Sequence, residues 1–291
     1  MRFKMSLCLF VCAMVAGGRV TAAPACDAEL IFPLHSQHNH APGIVECPNG
    51  DLLVSWYRGS GEKEAEDVAV FGARLRKDSR QWSDAFLLVD TPEFPDGNTA
   101  MYIDQKSCLW LFWPVIIANT WESCLMQYRV SNNYEADGPP QWMWQGKIFL
   151  KPLNFERKMR EALEERLKTT SQPPGGSARA DRLERLKTRI SDKLTSRLGW
   201  QVRCKPTVLP SGRILLPLYS DTYSAGILAI SDDAGKTWYA SEPLAGFGSI
   251  QPSVLRRNDG TLVAYMRENG PLKKIRIAES RDDGLTWGRW A

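Results

Sequence analysis

An all-β fold built from repeated antiparallel sheets is predicted by three observations. Two copies of an eight-residue motif, S-x-D-x-G-x-T-W, occupy residues 231–238 and 280–287. Their tryptophans lie 49 positions apart (287 − 238), which is the spacing of one blade in a β-propeller. Three further segments place a glycine turn between two apolar runs, a strong hairpin signal; they begin at Pro42, Pro206 and Pro252.

The chemistry of the motif is that of a rigid turn. Ser231 and Asp233 can accept hydrogen bonds from turn N–H groups, Gly235 can adopt a positive φ at little steric cost, and Trp238 can bury its ring. The pattern resembles the Asp box of the sialidase superfamily, whose fold is a β-propeller and whose Asp boxes lie away from the active site. We therefore expect a structural role for these aspartates.

Four blades can be counted along the chain, and they occupy residues 42–90, 91–150, 200–240 and 241–291. Sialidase-like propellers have six blades, so the resemblance implies a six-bladed fold of which about four blades are present. We expect the sequence to be the N-terminal portion of a longer protein.

Residues 152–199 interrupt the repeat and predict an inserted α-helical hairpin. Apolar residues recur there at spacings of three and four, which predicts helices over 157–168 and 182–198. Residues 151–199 carry 13 Lys or Arg and 7 Asp or Glu, a net charge of +6, whereas the whole chain is +4. A charge run on a helix does not by itself indicate nucleic-acid binding. We expect the apolar stripe to pack on the propeller; partner binding or substrate capping is the alternative.

The N-terminus has the pattern of a secretory signal peptide over residues 1–25. Basic Arg2 and Lys4 precede an apolar run over 7–16, and that run is too short to span a membrane. The remaining 266 residues (291 − 25), 26–291, are enough for one large β domain. We therefore expect a secreted or periplasmic monomer without an integral membrane segment.

The cysteines remaining after signal cleavage are odd in number: Cys26, Cys47, Cys108, Cys124 and Cys204. Cys108 and Cys124 flank a predicted hairpin and could form a disulfide, with buried free thiols as the alternative. No Cys–His spacing suggests zinc, so neither a metal nor a cofactor is predicted.

The resemblance also implies site residues. Sialidases bind the substrate carboxylate with three arginines, and they use an Asp as acid/base and a Tyr nucleophile that a Glu activates. Their first arginine stands in Arg-x-Pro, where this sequence has His40-Ala41-Pro42, and Arg58 matches the second arginine. Glu62, Glu64 and Asp67 are the alternatives for the acid/base position.

The activating Glu of the family precedes another Arg by sixteen residues, and here Gln251 precedes Arg267 by that distance (267 − 251). A glutamine cannot take a proton from a tyrosine. A histidine such as His40 binds a carboxylate more weakly than an arginine does. The resemblance thus implies a sialidase-like site changed at two positions, and sialosides are expected to be poor substrates.

These arguments give one candidate site and three candidate functions. The catalytic candidates are His38, His40, Glu62 and Asp67, and the substrate-binding candidates are Arg58, Arg203, Lys205, Tyr219, Gln251 and Arg267. We expect His40, Arg58 and Arg267 to converge on a central funnel. The predicted function is a secreted, exo-acting glycoside hydrolase acting on a glycan or oligosaccharide; the alternatives are a polysaccharide lyase using His and Tyr, and a glycan-binding propeller without turnover.

Overall fold

The computed structural model describes residues 28–169, 177–244, 246–269 and 273–288. The chain divides into two compact units, residues 1–31 and residues 32–291. The first unit is described only over residues 28–31, which form neither helix nor strand. The predicted signal peptide and Cys26 lie outside the described residues.

The second unit contains four antiparallel sheets, the four-blade propeller arrangement that the sequence predicts. Blade 1 consists of β1 (His38–Glu46), β2 (Leu52–Gly59), β3 (Ala69–Leu75) and β4 (Phe86–Val89). Blade 2 consists of β5 (Ala100–Ile103), β6 (Leu109–Ile116), β7 (Cys124–Ser131) and β8 (Trp144–Lys147), with a short 3₁₀ turn at Trp121–Ser123 before β7.

Blades 3 and 4 follow the inserted helices. Blade 3 consists of β9 (Gln201–Val202), β10 (Thr207–Val208), β11 (Ile214–Ser220), β12 (Ala225–Ser231) and β13 (Tyr239–Ala240). Its first strand is split, because β9 and β10 both pair with β11. Blade 4 has three strands among the described residues: β14 (Ser249–Arg256), β15 (Leu262–Glu268) and β16 (Ile275–Ser280).

The two ends of the propeller have different chemistry. Because neighbouring strands are antiparallel, the first strand of a blade begins at the same end at which the second strand finishes. The Asp boxes follow the third strands, β12 and β16, and so lie at the opposite end. The candidate site residues are concentrated at the end where the second strands finish.

The Asp boxes form the hydrogen bonds expected from their sequence. The Ser231 hydroxyl accepts the N–H of Gly235 at 2.8 Å, and the Asp233 carboxylate accepts the N–H of Thr237 at 2.9 Å and its hydroxyl at 2.6 Å. Asp282 accepts the equivalent pair at 3.0 and 2.5 Å. These aspartates therefore stabilise turns.

The Asp box of blade 3 also fastens that blade to blade 2. Gly235 has a φ of +83°, and a Cβ at this position would lie 2.5 Å from the Trp110 ring. The Tyr128 hydroxyl donates to the Gly235 carbonyl at 2.7 Å. In blade 4, a Cβ on Gly284 would lie 3.0 Å from Leu228 of blade 3, so the same contact is repeated from blade to blade.

The insert contains α1 (Phe155–Thr169), α2 (Ser177–Ser191) and α3 (Lys193–Arg197). The second predicted helix is thus broken at Asp192. Its backbone is extended and its side chain accepts the N–H of Thr195 at 2.7 Å, so Asp192 caps a new helix.

The apolar stripe of the insert packs on the propeller, as predicted. Met159, Leu163 and Ile190 belong to the same buried cluster as Phe112 of blade 2 and Leu216 of blade 3. The insert therefore contributes to the main core.

The proposed Cys108–Cys124 disulfide does not form, and both residues are free thiols. Cys124 pairs with Ile116 at one end of the β6–β7 ladder, whereas Leu109, the neighbour of Cys108, pairs with Ser131 at the other end. The length of β6 therefore separates the two sulfur atoms.

Within the described part of the chain, no helix combines the length and the apolar character needed to cross a membrane.

Candidate active site

One structural position recurs in three blades and faces the same end of the propeller. It is the seventh residue after the positive-φ glycine of the first hairpin, and it is occupied by Tyr57 after Gly50, by Tyr219 after Gly212 and by Arg267 after Gly260. Tyr57 is paired with His40 on the neighbouring strand. In blade 1 the position equivalent to Arg267 is therefore Tyr57 and not Arg58.

The first strands of blades 1 and 4 (β1 and β14) each contain a β-bulge at the end where the second strands finish. Ala41 has a φ of +53° and Gln251 a φ of +55°; each precedes a proline, and the pairing register shifts at each. Bulges of this kind redirect side chains and are frequent beside active sites. The Gln251 side chain of blade 4 lies close enough to Tyr219 of blade 3 to lower the pKa of its hydroxyl.

Four residues of blade 1 form a group that we call the histidine cluster: His38, His40, Tyr57 and Glu62. The Tyr57 hydroxyl donates to Glu62 Oε1 at 3.0 Å, and His38 Nε2 lies 3.2 Å from the same oxygen. The ring centroids of His38 and His40 are 5.6 Å apart, and those of His40 and Tyr57 are 5.7 Å apart. Both histidines share one face of β1 because strand side chains alternate.

Burial and charge set the protonation of the cluster. Burial raises the pKa of Tyr57, and the Glu62 carboxylate raises it further, so Tyr57 keeps its proton. Partial desolvation lowers the pKa of His40, and the positive charge of Arg203 lowers it further against an opposing effect of Glu62. His40 is therefore neutral at pH 7 and can act as a base.

The reachable groups of the histidine cluster are His38, His40 and Glu62. Tyr57 is only 1% exposed, whereas the side chains of His38 and Glu62 are each 38% exposed and His40 is exposed. The buried Tyr57 thus positions Glu62 through its hydrogen bond.

A second group crosses from blade 3 to blade 2, and we call it the amide relay: Asp221, Gln201, Asn98 and Arg203. Gln201 Nε2 donates to Asp221 at 2.9 Å, Asn98 Nδ2 donates to Gln201 Oε1 at 2.6 Å, and Arg203 Nη1 donates to Asn98 Oδ1 at 3.3 Å. The Asn98 amide also donates to the Tyr219 hydroxyl at 3.2 Å. Asn98 and Gln201 are buried.

Asp221 differs from Glu62 in its surroundings. Partial desolvation raises the pKa of Asp221, although the residue is exposed and the hydrogen bond from Gln201 and the positive charges of Arg267 and Lys63 oppose the rise. A raised pKa is the direction that a general acid requires. The site therefore contains two carboxyl groups in different environments.

Arg58 is not brought to the histidine cluster. It lies on the other face of β2 from Tyr57, where its Nε donates to Asn39 Oδ1 at 2.8 Å. Its guanidinium carbon lies 4.9 to 5.4 Å from the ring centroids of Phe32, Phe71 and Trp56. The expected convergence of His40, Arg58 and Arg267 therefore does not include Arg58, because neighbouring residues of a strand point to opposite faces.

The three alternatives for the acid/base position, Glu62, Glu64 and Asp67, differ in their contacts. Asp67 accepts the N–H and the hydroxyl of Ser60 at 3.0 and 2.9 Å and so closes its own loop. Glu64 is exposed and paired with Lys63. Among the three acids, Glu62 is the one whose described contacts join the cluster.

Lys205, a substrate-binding candidate from the sequence, is exposed. Tyr223 of blade 3 donates to the Arg189 carbonyl of the insert at 2.7 Å. Among the described residues, no three His, Cys, Asp or Glu side chains are grouped as a metal ion would require.

Sequence reasoning missed Tyr57, Asn98 and Gln201. Tyr57 could have been found, because it shares with Tyr219 and Arg267 the same distance from a turn glycine. The two amides have no sequence signal, since their roles depend on contacts between blades.

Comparisons with known proteins agree with the fold. The family described as a BNR repeat-like domain matches residues 50–291, whereas no curated protein matches the chain. A Dyadobacter fermentans protein of unknown function is 17% identical with a TM-score of 0.61, and the alignment covers 88% of this chain and 69% of that one.

Two sialidase structures are also similar. A Hadza microbial sialidase is 16% identical with a TM-score of 0.58, covering 86% of this chain and 46% of its own. A leech intramolecular trans-sialidase is 11% identical with a TM-score of 0.60, covering 92% and 53%. The chain thus spans about half the length of these sialidases, and at such identities the likeness shows the fold alone.

Proposed function

Since the chain belongs to the BNR repeat-like domain family, we propose that it carries the active site of a secreted glycoside hydrolase that acts on an acidic glycan. The observation that supports this most directly is the convergence of Tyr57 and His38 on one oxygen of Glu62. A carboxylate held by a hydrogen-bond donor and flanked by a histidine is oriented for proton transfer or nucleophilic attack.

Hydrolysis of a glycosidic bond commonly uses two carboxyl groups, one as acid and one as base or nucleophile. Asp221 takes the acid role in this proposal because it is exposed and desolvation raises its pKa. Glu62 takes the second role, with Tyr57 and His38 fixing its position.

The preference for an acidic substrate follows from the cations at this end of the propeller. Arg203 lies close enough to depress the pKa of His40, and Arg267 close enough to oppose the rise in the pKa of Asp221. A carboxylate or sulfate on the sugar would be attracted to both. Because His40 and Gln251 replace an Arg and a Glu of the sialidase pattern, we expect sialosides to be poor substrates.

A polysaccharide lyase is the second candidate function. It is favoured by the effect of the Arg203 charge on the pKa of His40. β-Elimination beside a carboxylate needs a neutral base for the α-proton and a cation on the carboxylate. Arg203 would hold the carboxylate while its charge keeps His40 neutral.

Product analysis in H₂¹⁸O separates these functions. We expect hydrolysis to place one ¹⁸O atom in the released sugar, with no unsaturated product. An ultraviolet-absorbing unsaturated uronate without ¹⁸O would show elimination instead. Glycan binding with neither product would show the non-catalytic alternative and contradict the proposal.

Secretion is part of the same proposal, supported by the basic and apolar pattern of residues 1–25. N-terminal sequencing of the exported protein should find a start near Cys26. A mature protein that retains Met1 would contradict it.

A further inference from the structure

We infer that Arg203 and Tyr219 form a receptor for an oxyanion on the sugar, a carboxylate or a sulfate, and that the buried amide of Asn98 holds the two donors side by side. This inference rests on the proposed function in taking a sugar as the ligand, but it concerns binding and not turnover.

The hydrogen-bond directions in the amide relay are fixed from its Arg203 end, because a guanidinium can only donate. Asn98 must then give its oxygen to Arg203 and its NH₂ to both Gln201 and Tyr219. Gln201 consequently turns its oxygen toward Asn98 and its NH₂ toward Asp221.

The Tyr219 hydroxyl is therefore an acceptor within the protein. It receives the amide of Asn98 at 3.2 Å, so its own proton points away from that amide. Among the residues that the structure describes, no oxygen accepts that proton. Burial raises the pKa of Tyr219 to about 12, so the proton is present at neutral pH.

Tyr57 shows the opposite arrangement at the equivalent position of blade 1. Its hydroxyl donates to Glu62 at 3.0 Å, so its proton is already used within the protein. The two tyrosines share a place in the repeat but differ in what they offer a ligand. Tyr219, which is 5% exposed against 1% for Tyr57, is the one whose proton is left to donate.

An anion fits these donors better than a neutral hydroxyl. Arg203 has five N–H donors, and its bond to Asn98 uses one of them. Tyr219 and Arg203 are both hydrogen-bonded to the side-chain amide of Asn98. The Tyr219 proton and the remaining Arg203 donors therefore lie on neighbouring side chains. Charge-assisted hydrogen bonds are about twice as strong as neutral ones, so an oxyanion gains most from this pair.

Binding calorimetry with D-glucuronate, N-acetylglucosamine 6-sulfate and D-glucose tests the inference. Tyr219→Phe removes the donor, and we expect affinity for the anionic sugars to fall about tenfold or more while glucose binding is unchanged. Asn98→Asp puts an acceptor beside Tyr219, so it should turn the proton inward and reduce anion binding similarly. Tyr239→Phe is the control, because its hydroxyl bonds Asp232 at the Asp-box end.

The two anionic sugars distinguish a carboxylate site from a sulfate site, and preferential binding of either supports the receptor. Unchanged anion affinity in Tyr219→Phe, an equal loss for all three sugars, or no binding of either anion by the unaltered protein would overturn it. Since no turnover is needed, failure of the hydrolase proposal would leave a positive binding result standing.

Discussion

At the residue scale, burial and neighbouring charge decide what each polar side chain can do. His40 is neutral at pH 7 because partial desolvation and the charge of Arg203 lower its pKa. Tyr57 and Tyr219 occupy equivalent positions and differ only in their partners. Residue type alone therefore does not define the chemistry of this site.

The link between Arg203 and His40 can be measured directly. Arg203→Gln removes a positive charge that disfavours protonation, so we expect the pKa of His40 to rise. Histidine NMR titration measures it, with Arg213→Gln as the control because Arg213 pairs with Asp232 at the other end. A His40 pKa that does not move, or that falls, would show that Arg203 does not act on this ring.

Asp96 should make stability depend on pH. Its buried carboxylate accepts two hydrogen bonds from Thr91 and one from Trp113, yet burial raises its pKa from 3.8 to about 6. The folded state then binds the proton more tightly than the unfolded state. This contribution is fully present below pH 4 and is lost as the pH rises through 6.

The loss expected from Asp96 is on the order of 3 kcal/mol, because one pKa unit corresponds to about 1.4 kcal/mol. The free energy of unfolding measured from about pH 3 to about pH 8 spans the titration of both states, and Asp96→Asn should lack this decline. The exposed Asp78→Asn variant serves as the control. An identical decline in Asp96→Asn and the unaltered protein would rule Asp96 out as its source.

At the element scale, the Asp box is both a turn and a contact between blades. Its serine and aspartate satisfy the turn N–H groups, and its glycine permits the close approach to Trp110. The first property could be predicted from the motif. The second could not, because Trp110 lies 125 residues away in sequence (235 − 110).

Two glycine substitutions separate these contributions. Gly235→Ala suffers both the strain of a positive φ and the clash with Trp110, whereas Gly212→Ala, at a φ of +86°, meets nothing within 4 Å. Strain alone costs about 1–2 kcal/mol, and overpacking adds about 1–3 kcal/mol. Chemical denaturation should therefore find Gly235→Ala the less stable variant by that second amount; equal losses would mean that the Trp110 contact contributes nothing.

The helical insert behaves as a core element. Its periodicity predicted the helices and their apolar stripe, but the break at Asp192 depends on a capping hydrogen bond that the periodicity does not report. Met159 is 1% exposed within the cluster that joins blades 2 and 3. The insert and the blades should therefore unfold together.

Truncation of that contact gives a test. Met159→Ala should lower the free energy of unfolding by about 2–5 kcal/mol in a single transition seen by both helical and β-sheet circular dichroism. Leu167→Ala, on the same helix but 43% exposed, should cost less than about 1 kcal/mol. A separate early loss of helix with the β signal intact would show that the insert is an accessory.

At the scale of the whole molecule, the sequence repeat allows the fold to be predicted. It allows only part of the site to be predicted. The turn glycines and Asp boxes mark the blades, and strand direction then places the second-strand ends together. The expected convergence does not include Arg58, because a shift of one residue along a strand moves a side chain to the other face. The amide relay could not be predicted from the sequence, because it depends on a contact between two blades, that of Asn98 with Gln201.

The cleavage activity of Glu62→Gln, compared with Glu64→Gln, tests the central proposal most directly. Glu64 lies on the same loop and is paired with Lys63 at the surface, so the two variants make the same chemical change inside and outside the cluster. On the acidic glycan that the unaltered protein cleaves fastest, we expect Glu62→Gln to lower kcat about a hundredfold or more and Glu64→Gln to change it less than about twofold. A Glu62→Gln variant that is folded and retains full kcat would contradict the assignment of this cluster as the active site.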